Sequence, residues 1–395
     1  MNIIGIDTVM RGTSNQIRGL IVQAQQSTSN FHNRFISAET LLWKSIDGKF
    51  LNLQCFNKQQ LEKAIQARVS ECMKQQIVPD IAVLPIDQSR VNQENIDADI
   101  VSELIKKSFR KYNINIKTLV IASNLYPYRD VDFIHVGAHQ LSEADEKRLQ
   151  TDKELRRRVI LTLGVPSDLS GMQIKLAARK NDVIKSFLAK IASKPVVLFS
   201  VGGKTADNVI KFTLQDAEKI MQAARFFRNN GYAVVIANSP RTPNEVTDYF
   251  FQQYLQDNEI LFFNSKNIAK NEEEKSNFRF YSGIYAEALS EQYSKYGNIY
   301  PAILDVCDFV VNTHDSFSYT SDVAALGIPS VVYTGNEIGE TRRDCHKLFE
   351  LCHTAGYVVS LEEAINIIAE GGKISTTPIT KVSKQILSAL QQKMK

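Results

Sequence analysis

Short apolar runs alternate with amphipathic stretches along the whole chain of 395 residues. Helical periodicity marks Lys58–Lys74 and Ile100–Tyr112, which lie between the apolar runs of the first half. The strand candidates of that half are Ile3–Ile6, Ile81–Leu84, Leu119–Ala122, Phe133–Val136 and a run within Arg158–Leu163. This alternation predicts an α/β fold with a mainly parallel sheet covered by helices.

The same rhythm begins again at Pro195–Val201 and continues with helices at Leu214–Asn230 and Glu245–Gln256. Its further strand candidates are Ala233–Ala237, Ile260–Phe263, Phe309–Asn312 and Ser330–Tyr333. A chain of this length exceeds one ordinary core, so we predict two domains. Their similar pattern is compatible with two doubly wound domains that face a cleft. The predicted boundaries are 1–175 and 190–375, followed by a C-terminal helix over 376–395.

Composition excludes several classes of protein. Hydrophobic residues make up 44% and charged residues 23%, as in an ordinary globular protein. The net charge of +4 permits an anionic ligand, but Lys and Arg form no stripe with aromatic residues, so no nucleic-acid partner is expected. Five cysteines occur without a CxxC pair, and no familiar zinc spacing is present. We expect no metal and no cofactor.

The chain is expected to be cytoplasmic. The first strand candidate starts almost at the first residue, which leaves no room for a cleavable leader, and no apolar run approaches the roughly 20 residues that span a bilayer. The basic run Lys147–Arg158 is typical of a solvated helix face. Its alternative role is peripheral contact with anionic lipid headgroups at the inner face of the membrane.

The segment richest in candidate chemistry runs from Thr313 to Asp322. It follows a strand candidate and opens an alanine-rich helix that ends at Gly327. Ligands of open α/β sheets bind at the carboxyl ends of strands, where helix N-termini attract phosphate. The candidate ligand contacts are Thr313, Asp315, Ser316, Ser318, Ser321 and Asp322, with Asp322 in or near the first turn and suited to ribose hydroxyls. One helix cap needs only one such residue, so crowding favours a nucleotide site over capping alone.

Two further polar loops follow strand candidates of the same domain. One contains Gly202, Gly203 and Lys204, where glycine amides can approach an anion and a lysine can reach it. The other is Ser239-Pro240-Arg241-Thr242-Pro243, in which Arg241 can bind phosphate in bidentate fashion. Tight turns and capping explain each loop equally well when it is taken singly. Their convergence with the first segment predicts an anion site.

The first domain offers fewer candidates. Asp7 ends the first strand candidate and is the best-placed carboxylate for accepting a proton, and Gly12, Asn15 and Gln16 follow it as an acceptor-side loop. A structural turn explains this loop equally well. His135 alternates into the sheet and is expected in the core, whereas His139 lies in a loop and is the second candidate acid or base. His314, inside the Thr313–Asp322 segment, is a candidate phosphate contact.

The order of these segments resembles the mitochondrial-fission "elongated mitochondria" family. The matching stretches are Asp7–Leu20, Ile160–Pro166, Gly202–Lys204, Ser239–Pro243 and Thr313–Asp322. The resemblance implies two Rossmann-like domains of the glycosyltransferase-B (GT-B) type, with a nucleotide-sugar site mainly in the second domain. It also implies that Ser316, Ser318 and Ser321 face the diphosphate and Asp322 the ribose or sugar. Asp322 stands where the family usually has Glu.

The resulting hypothesis is a metal-independent glycosyltransferase that uses a nucleoside-diphosphate sugar and a glycan or lipid-linked acceptor in cell-envelope synthesis. In this hypothesis Gly203, Arg241 and the helix after Asp315 stabilise the leaving diphosphate, while Asp7 or His139 deprotonates the acceptor. Two alternatives remain open. One is a non-catalytic scaffold protein of the same family, and the other is a nucleotide-sugar epimerase.

Overall fold

The computed structural model describes most of the chain. The described residues are 1–6, 16–24, 41–43, 58–84, 97–122, 124–167, 169, 174–175, 182–191, 193–203, 212–239, 242–256, 260–263, 299–315, 317–335 and 343–394. The chain divides into two compact units. Unit 1 contains Met1–Asp168 together with Thr380–Lys395, and unit 2 contains Leu169–Ile379.

Unit 1 is built on a sheet of six parallel strands in the order β2-β1-β3-β4-β5-β6. These strands are β1 (Ile3–Ile6), β2 (Leu41–Trp43), β3 (Ile81–Leu84), β4 (Lys117–Ile121), β5 (Phe133–Gly137) and β6 (Val159–Thr162). The described helices of the N-terminal part are α1 (16–24), α2 (Lys58–Lys74), α3 (Ala98–Arg110), α4 (Glu143–Thr151) and α5 (Lys153–Arg158). The basic run Lys147–Arg158 therefore covers the second half of α4 and all of α5.

Unit 2 repeats this plan with six parallel strands in the order β12-β11-β10-β7-β8-β9. They are β7 (Val196–Val201), β8 (Ala233–Asn238), β9 (Ile260–Phe263), β10 (Phe309–Thr313), β11 (Ser330–Tyr333) and β12 (Val359–Ser360). The helices are α6 (Asp182–Lys190), α7 (Leu214–Asn229), α8 (Asn244–Gln256), α9 (Ile299–Leu304), α10 (Phe317–Leu326), α11 (Arg343–Thr354) and α12 (Leu361–Ala369). The last helix, α13 (Val382–Lys393), belongs to unit 1.

The central strands of both sheets are buried on both faces, which explains why they are apolar runs without alternation. In unit 2, Phe199 and Phe227 pack with Val311 on one face of the sheet. Leu198, Val235 and Val310 pack with Ile303 of α9 on the other face. The fold class predicted from the sequence, two doubly wound parallel α/β units, is confirmed.

The strand order of unit 2 fixes where a ligand can bind. From β7 the chain winds through β8 to β9 at one edge, and then returns to β10 on the other side of β7. The winding direction therefore reverses between β7 and β10. In open α/β sheets this switch point leaves a crevice at the carboxyl ends of the two strands. Val201 ends β7 and Thr313 ends β10, so the Gly202 and Thr313 loops meet at the switch point.

The C-terminal helix α13 packs against the sheet of unit 1. Val382, Ile386, Leu387 and Leu390 are buried, as their helical spacing predicts, and they join a core cluster that includes Ile3 of β1 and Ile160 of β6. The chain therefore returns to its first unit after completing the second.

Replacement of Leu390 by alanine is expected to destabilise unit 1. Leu390 is fully buried, so Leu390→Ala leaves a cavity and lowers the free energy of unfolding by about 2–5 kcal/mol. Denaturant unfolding followed by circular dichroism measures the loss. The matched control is Gln391→Ala on the exposed face of the same helix. Equal stability of the two variants would contradict the packing of α13 on unit 1.

Candidate functional site

The loop after β7 is held by side chains that follow β10. The Gly202 N–H donates to Thr313 Oγ1 at 2.7 Å, and the Gly203 N–H donates to Asp315 Oδ2 at 3.1 Å. Thr313 Oγ1 in turn donates to Asp315 Oδ1 at 2.6 Å. The two strand ends at the switch point are thus joined by a chain of buried hydrogen bonds, which we call the brace: Gly202, Gly203, Thr313 and Asp315.

Glycine at position 202 is required by space. A Cβ atom there would overlap the Asp315 carboxylate, which lies directly against the backbone. Asp315 is itself buried, with 6% of its surface exposed. A buried carboxylate is costly unless N–H and O–H groups donate to it. The Gly203 amide and the Thr313 hydroxyl are two such donors.

The loop after β8 contacts the Gly202 loop as well. The Thr242 hydroxyl donates to the carbonyl oxygen of Gly202 and accepts the Ser239 N–H at 3.0 Å. Thr242 is fully buried and Ser239 is nearly so. All three strand-end loops that the sequence singled out in unit 2 therefore meet in one hydrogen-bonded cluster.

The helix α10 begins directly behind this cluster. It starts at Phe317, two residues after Asp315, and has no acidic residue in its first turn. Its N-terminal amides carry the positive end of the helix dipole, which favours an anion. Asp322 is the sixth residue of α10, so it lies in the second turn rather than in the first. Ser321 and Asp322 are both buried, at 6% and 8% exposure.

A second polar group lies on the β11 side of the switch point. The Tyr333 hydroxyl donates to Asp216 Oδ1 at 2.8 Å, and Asp216 Oδ2 accepts the backbone N–H and the hydroxyl of Thr213. Asp216 thereby caps α7 and ties it to the end of β11. Burial and the Asp216 carboxylate raise the pKa of Tyr333 well above its ordinary value, so the phenol stays protonated.

The structure brings together Gly202, Gly203, Ser239, Thr242, Thr313 and Asp315, as predicted, but with roles that sequence did not suggest. The Gly202 and Gly203 amides, expected to face phosphate, donate inside the protein to Thr313 and Asp315. Ser318 lies in the first turn of α10, and Gln16 begins α1. Asp7, Gly12, Asn15, Lys204, Arg241 and Ser316 lie outside the described residues.

Both predicted histidines of unit 1 are inside the protein. His135 Nε2 lies 2.8 Å from Thr162 Oγ1, and burial lowers the pKa of His135 to about 3, so the ring is neutral. His139 is only 1% exposed in a 3-10 turn after β5, where its ring lies against Gly137. A general base must come within hydrogen-bond reach of its substrate, so the buried position of His139 does not support the predicted acid–base role.

Sequence reasoning missed Asp216 and Tyr333. The spacing Thr213-x-x-Asp216 is a capping box at the start of α7, and that signal is visible in the sequence. The pairing of Asp216 with Tyr333 is not visible, because 117 residues separate them. Among the described residues, no His, Cys, Asp and Glu side chains group in a way that could hold a metal ion. No described helix is long and apolar enough to cross a membrane.

The two doubly wound parallel α/β units have the GT-B fold. The UDP-GlcNAc 2-epimerase of Methanocaldococcus jannaschii has a similar structure, with 12% identity, coverage of 99% of this chain and 100% of that chain, and a TM-score of 0.52. The glycosyltransferase SsfS6 of Streptomyces sp. SF2575, complexed with thymidine diphosphate, aligns at 12% identity over 98% and 99% of the two chains, with a TM-score of 0.39. Medicago truncatula UGT71G1, complexed with UDP-glucose, aligns at 11% identity over 100% and 90%, with a TM-score of 0.41.

The chain belongs to the mitochondrial fission ELM1 family, whose sequence model matches residues 97–381. A comparison with curated proteins gave no significant match. The resemblance read from the sequence is therefore confirmed. The structural similarity at a TM-score of 0.52 supports the fold, and the two lower-scoring similarities add nothing to it.

The brace predicts non-additive effects of two substitutions. Gly202→Ala places a Cβ against the Asp315 carboxylate and is expected to cost about 1–3 kcal/mol of unfolding free energy. Asp315→Ala leaves the Gly203 amide and the Thr313 hydroxyl without this acceptor and is expected to cost a similar amount.

The double variant should lose clearly less than the sum, because alanine at position 315 leaves room for the added Cβ. Denaturant unfolding of the four proteins measures the coupling. Additive losses, within about 0.5 kcal/mol, would contradict the close contact between Gly202 and Asp315.

Proposed function

We propose that this protein is a glycosyltransferase that binds a nucleoside-diphosphate sugar at the carboxyl ends of β7 and β10. The observation that carries the proposal is the convergence of three strand-end loops on the start of α10 at the switch point. Open α/β sheets bind ligands at this position, and a helix N-terminus there favours a phosphate group.

The brace supports the proposal by fixing the position of the helix. Asp315 is held by Gly203 and Thr313, and only one residue separates it from Phe317 at the first turn of α10. The backbone N–H groups of that turn are then already oriented before the ligand binds. Preorganised donors stabilise developing charge better than donors that must first reorient. In the proposed reaction, this charge is that of the leaving nucleoside diphosphate, and no metal is required.

The remaining contacts of the proposed site are predictions from the sequence. Lys204, Arg241, Ser316 and Ser318 follow the strand ends or open α10, and each residue type can donate to phosphate oxygens. Asp322 is the proposed contact to the ribose or sugar. Asp7, with Gly12, Asn15 and Gln16 beside it in sequence, is the proposed base and acceptor-side loop.

The proposed acceptor is a glycan or lipid-linked molecule of the cell envelope. The end of α4 and helix α5 contain the basic run and support a peripheral contact with anionic headgroups, since Arg157 is 79% exposed there and pairs only with the equally superficial Glu154 in the described contacts. Other arginines of the run have structural partners. Arg148 donates to the carbonyl oxygen of Leu125 and Arg158 to that of Tyr128. A membrane contact would therefore use only part of the run.

An epimerase is the second candidate function. A solved structure that aligns with a TM-score of 0.52 is that of a UDP-GlcNAc 2-epimerase, and the switch-point site would bind the same kind of nucleotide sugar in either enzyme. The name of the family refers to mitochondrial fission and not to a reaction. This favours a third candidate function, a scaffold protein that keeps the fold without catalysis.

Nucleotide binding is tested by thermal shift. UDP at about 100 times its Kd should stabilise unit 2 by roughly 2.7 kcal/mol and raise Tm accordingly. Thr313→Val removes the acceptor for the Gly202 amide and a donor to Asp315, so it should reduce the shift relative to its own unliganded protein. Ser330→Ala, buried at the amino end of β11, is the control and should keep the full shift.

Product analysis with UDP-GlcNAc separates the candidates. Release of UDP together with a glycosylated acceptor supports the transferase. Conversion of UDP-GlcNAc to its epimer without acceptor supports the epimerase. Absence of stabilisation by every nucleoside diphosphate in a panel would overturn both enzyme proposals and favour the scaffold.

A further inference from the structure

His314 lies between Thr313 and Asp315 in the sequence, but its side chain takes no part in the brace. Thr313 and Asp315 turn their side chains toward the Gly202 loop. On the β11 side, the His314 backbone N–H donates to the carbonyl oxygen of Tyr333 at 3.1 Å, and the His314 ring lies beside Gly335. The polar side chains of this strand end are therefore divided between two sides of β10.

The His314 ring is buried and incompletely paired. Only 7% of the residue is exposed, and its Nε2 atom has no hydrogen-bond partner among the described residues. A buried polar atom without a partner costs roughly 1–3 kcal/mol. Such atoms are rare in folded proteins, and a functional role is a common reason for their retention.

A glycine without a side chain lies beside the ring. Gly335 has a φ of +75°, and the position of a Cβ atom there would be 3.4 Å from His314 Cε1 and 3.9 Å from His314 Nδ1. Asp216 Oδ1 lies 3.6 Å from the same position. No side chain at position 335 fills the space next to the Cε1–Nδ1 edge of the imidazole.

The groups that act on His314 come from four elements. The charged or titratable ones are Asp315 on the same strand end, Asp216 on α7 and His346 on α11, and the Tyr333 backbone on β11 contributes a hydrogen bond. Burial lowers the pKa of His314, and His346 lowers it further, whereas Asp315, the Tyr333 backbone and Asp216 oppose this change. The net effect is a ring that is neutral near pH 7 in the free protein.

We propose that His314 is an anion-contacting residue of the site and takes up a proton when a nucleoside diphosphate binds. This proposal rests on the proposed nucleotide site. An anion beside the ring favours the imidazolium form, in which both nitrogens donate hydrogen bonds. Charge-assisted bonds of this kind are about twice as strong as neutral ones.

The sign of the pH dependence follows from linkage. The pKa of His314 is lowered in the free protein and higher in the complex, so the complex binds more protons between these two values. Affinity for the diphosphate should therefore rise as the pH falls through that window. It should level off once the pH lies below the pKa of the free protein.

The test is titration calorimetry with UDP as the probe, at pH 6 and pH 8.5, in buffers of different ionisation enthalpy. Wild-type protein should take up protons that His314→Gln does not, and the variant should bind roughly 10-fold more weakly at pH 6 with a smaller difference at pH 8.5. UDP's own phosphate titration is common to both proteins and cancels in the comparison. His353→Gln on α11, which pairs with Glu363, is the control and should behave as wild type.

A second measurement on the wild-type protein does not depend on the folding of a variant. The nuclear magnetic resonance signal of the His314 Cε1 proton should titrate at higher pH with UDP bound than without it. Equal proton uptake by wild type and His314→Gln, or an unchanged His314 titration, would overturn the role of His314 alone. Absence of UDP binding to wild type would overturn the proposed nucleotide site together with this role.

Discussion

The structure of the candidate site depends on the Asp315 carboxylate, which collects donors from both sides of the switch point. It accepts the Gly203 amide from the end of β7 and the Thr313 hydroxyl from the end of β10. Bonds to a buried charged group are stronger than ordinary hydrogen bonds, and removing their partners is correspondingly costly. This one carboxylate therefore explains why position 202 has to be glycine.

Neighbouring polar residues of the candidate site have different roles. Thr313, Asp315 and Thr242 satisfy backbone groups of the Gly202 loop, so they shape the site without facing a ligand through those atoms. Among the described residues, the first-turn amides of α10 and the His314 ring take no part in the brace. The number of hydroxyl and carboxylate residues in a strand-end segment is therefore larger than the number available to a ligand. Some of these side chains are needed for hydrogen bonds that hold the loops together.

Much of the fold could be predicted from the sequence. Ile81–Leu84, Ile260–Phe263 and Ser330–Tyr333 were predicted with the bounds that the structure has, because strands of a parallel sheet are buried on both faces and read as apolar runs. The strands β2 and β12, of 3 and 2 residues, are too short for such a run and were missed. The positions of the polar loops were also predictable. Their contacts were not, because the Gly202–Thr313 bond joins residues 111 positions apart.

Family and fold still leave the chemistry open, since a switch point with a helix N-terminus suits an anion in an enzyme and in a scaffold alike. In the proposed transferase, unit 1 supplies the base that deprotonates the acceptor. Both histidines in the described part of that unit, His135 and His139, are buried, and His135 is neutral with a pKa of about 3. A catalytic base drawn from the remaining candidate, Asp7, would be a carboxylate, whose ordinary pKa is about 3.9. A transferase with such a base would keep its activity well below the pH at which a histidine base loses it.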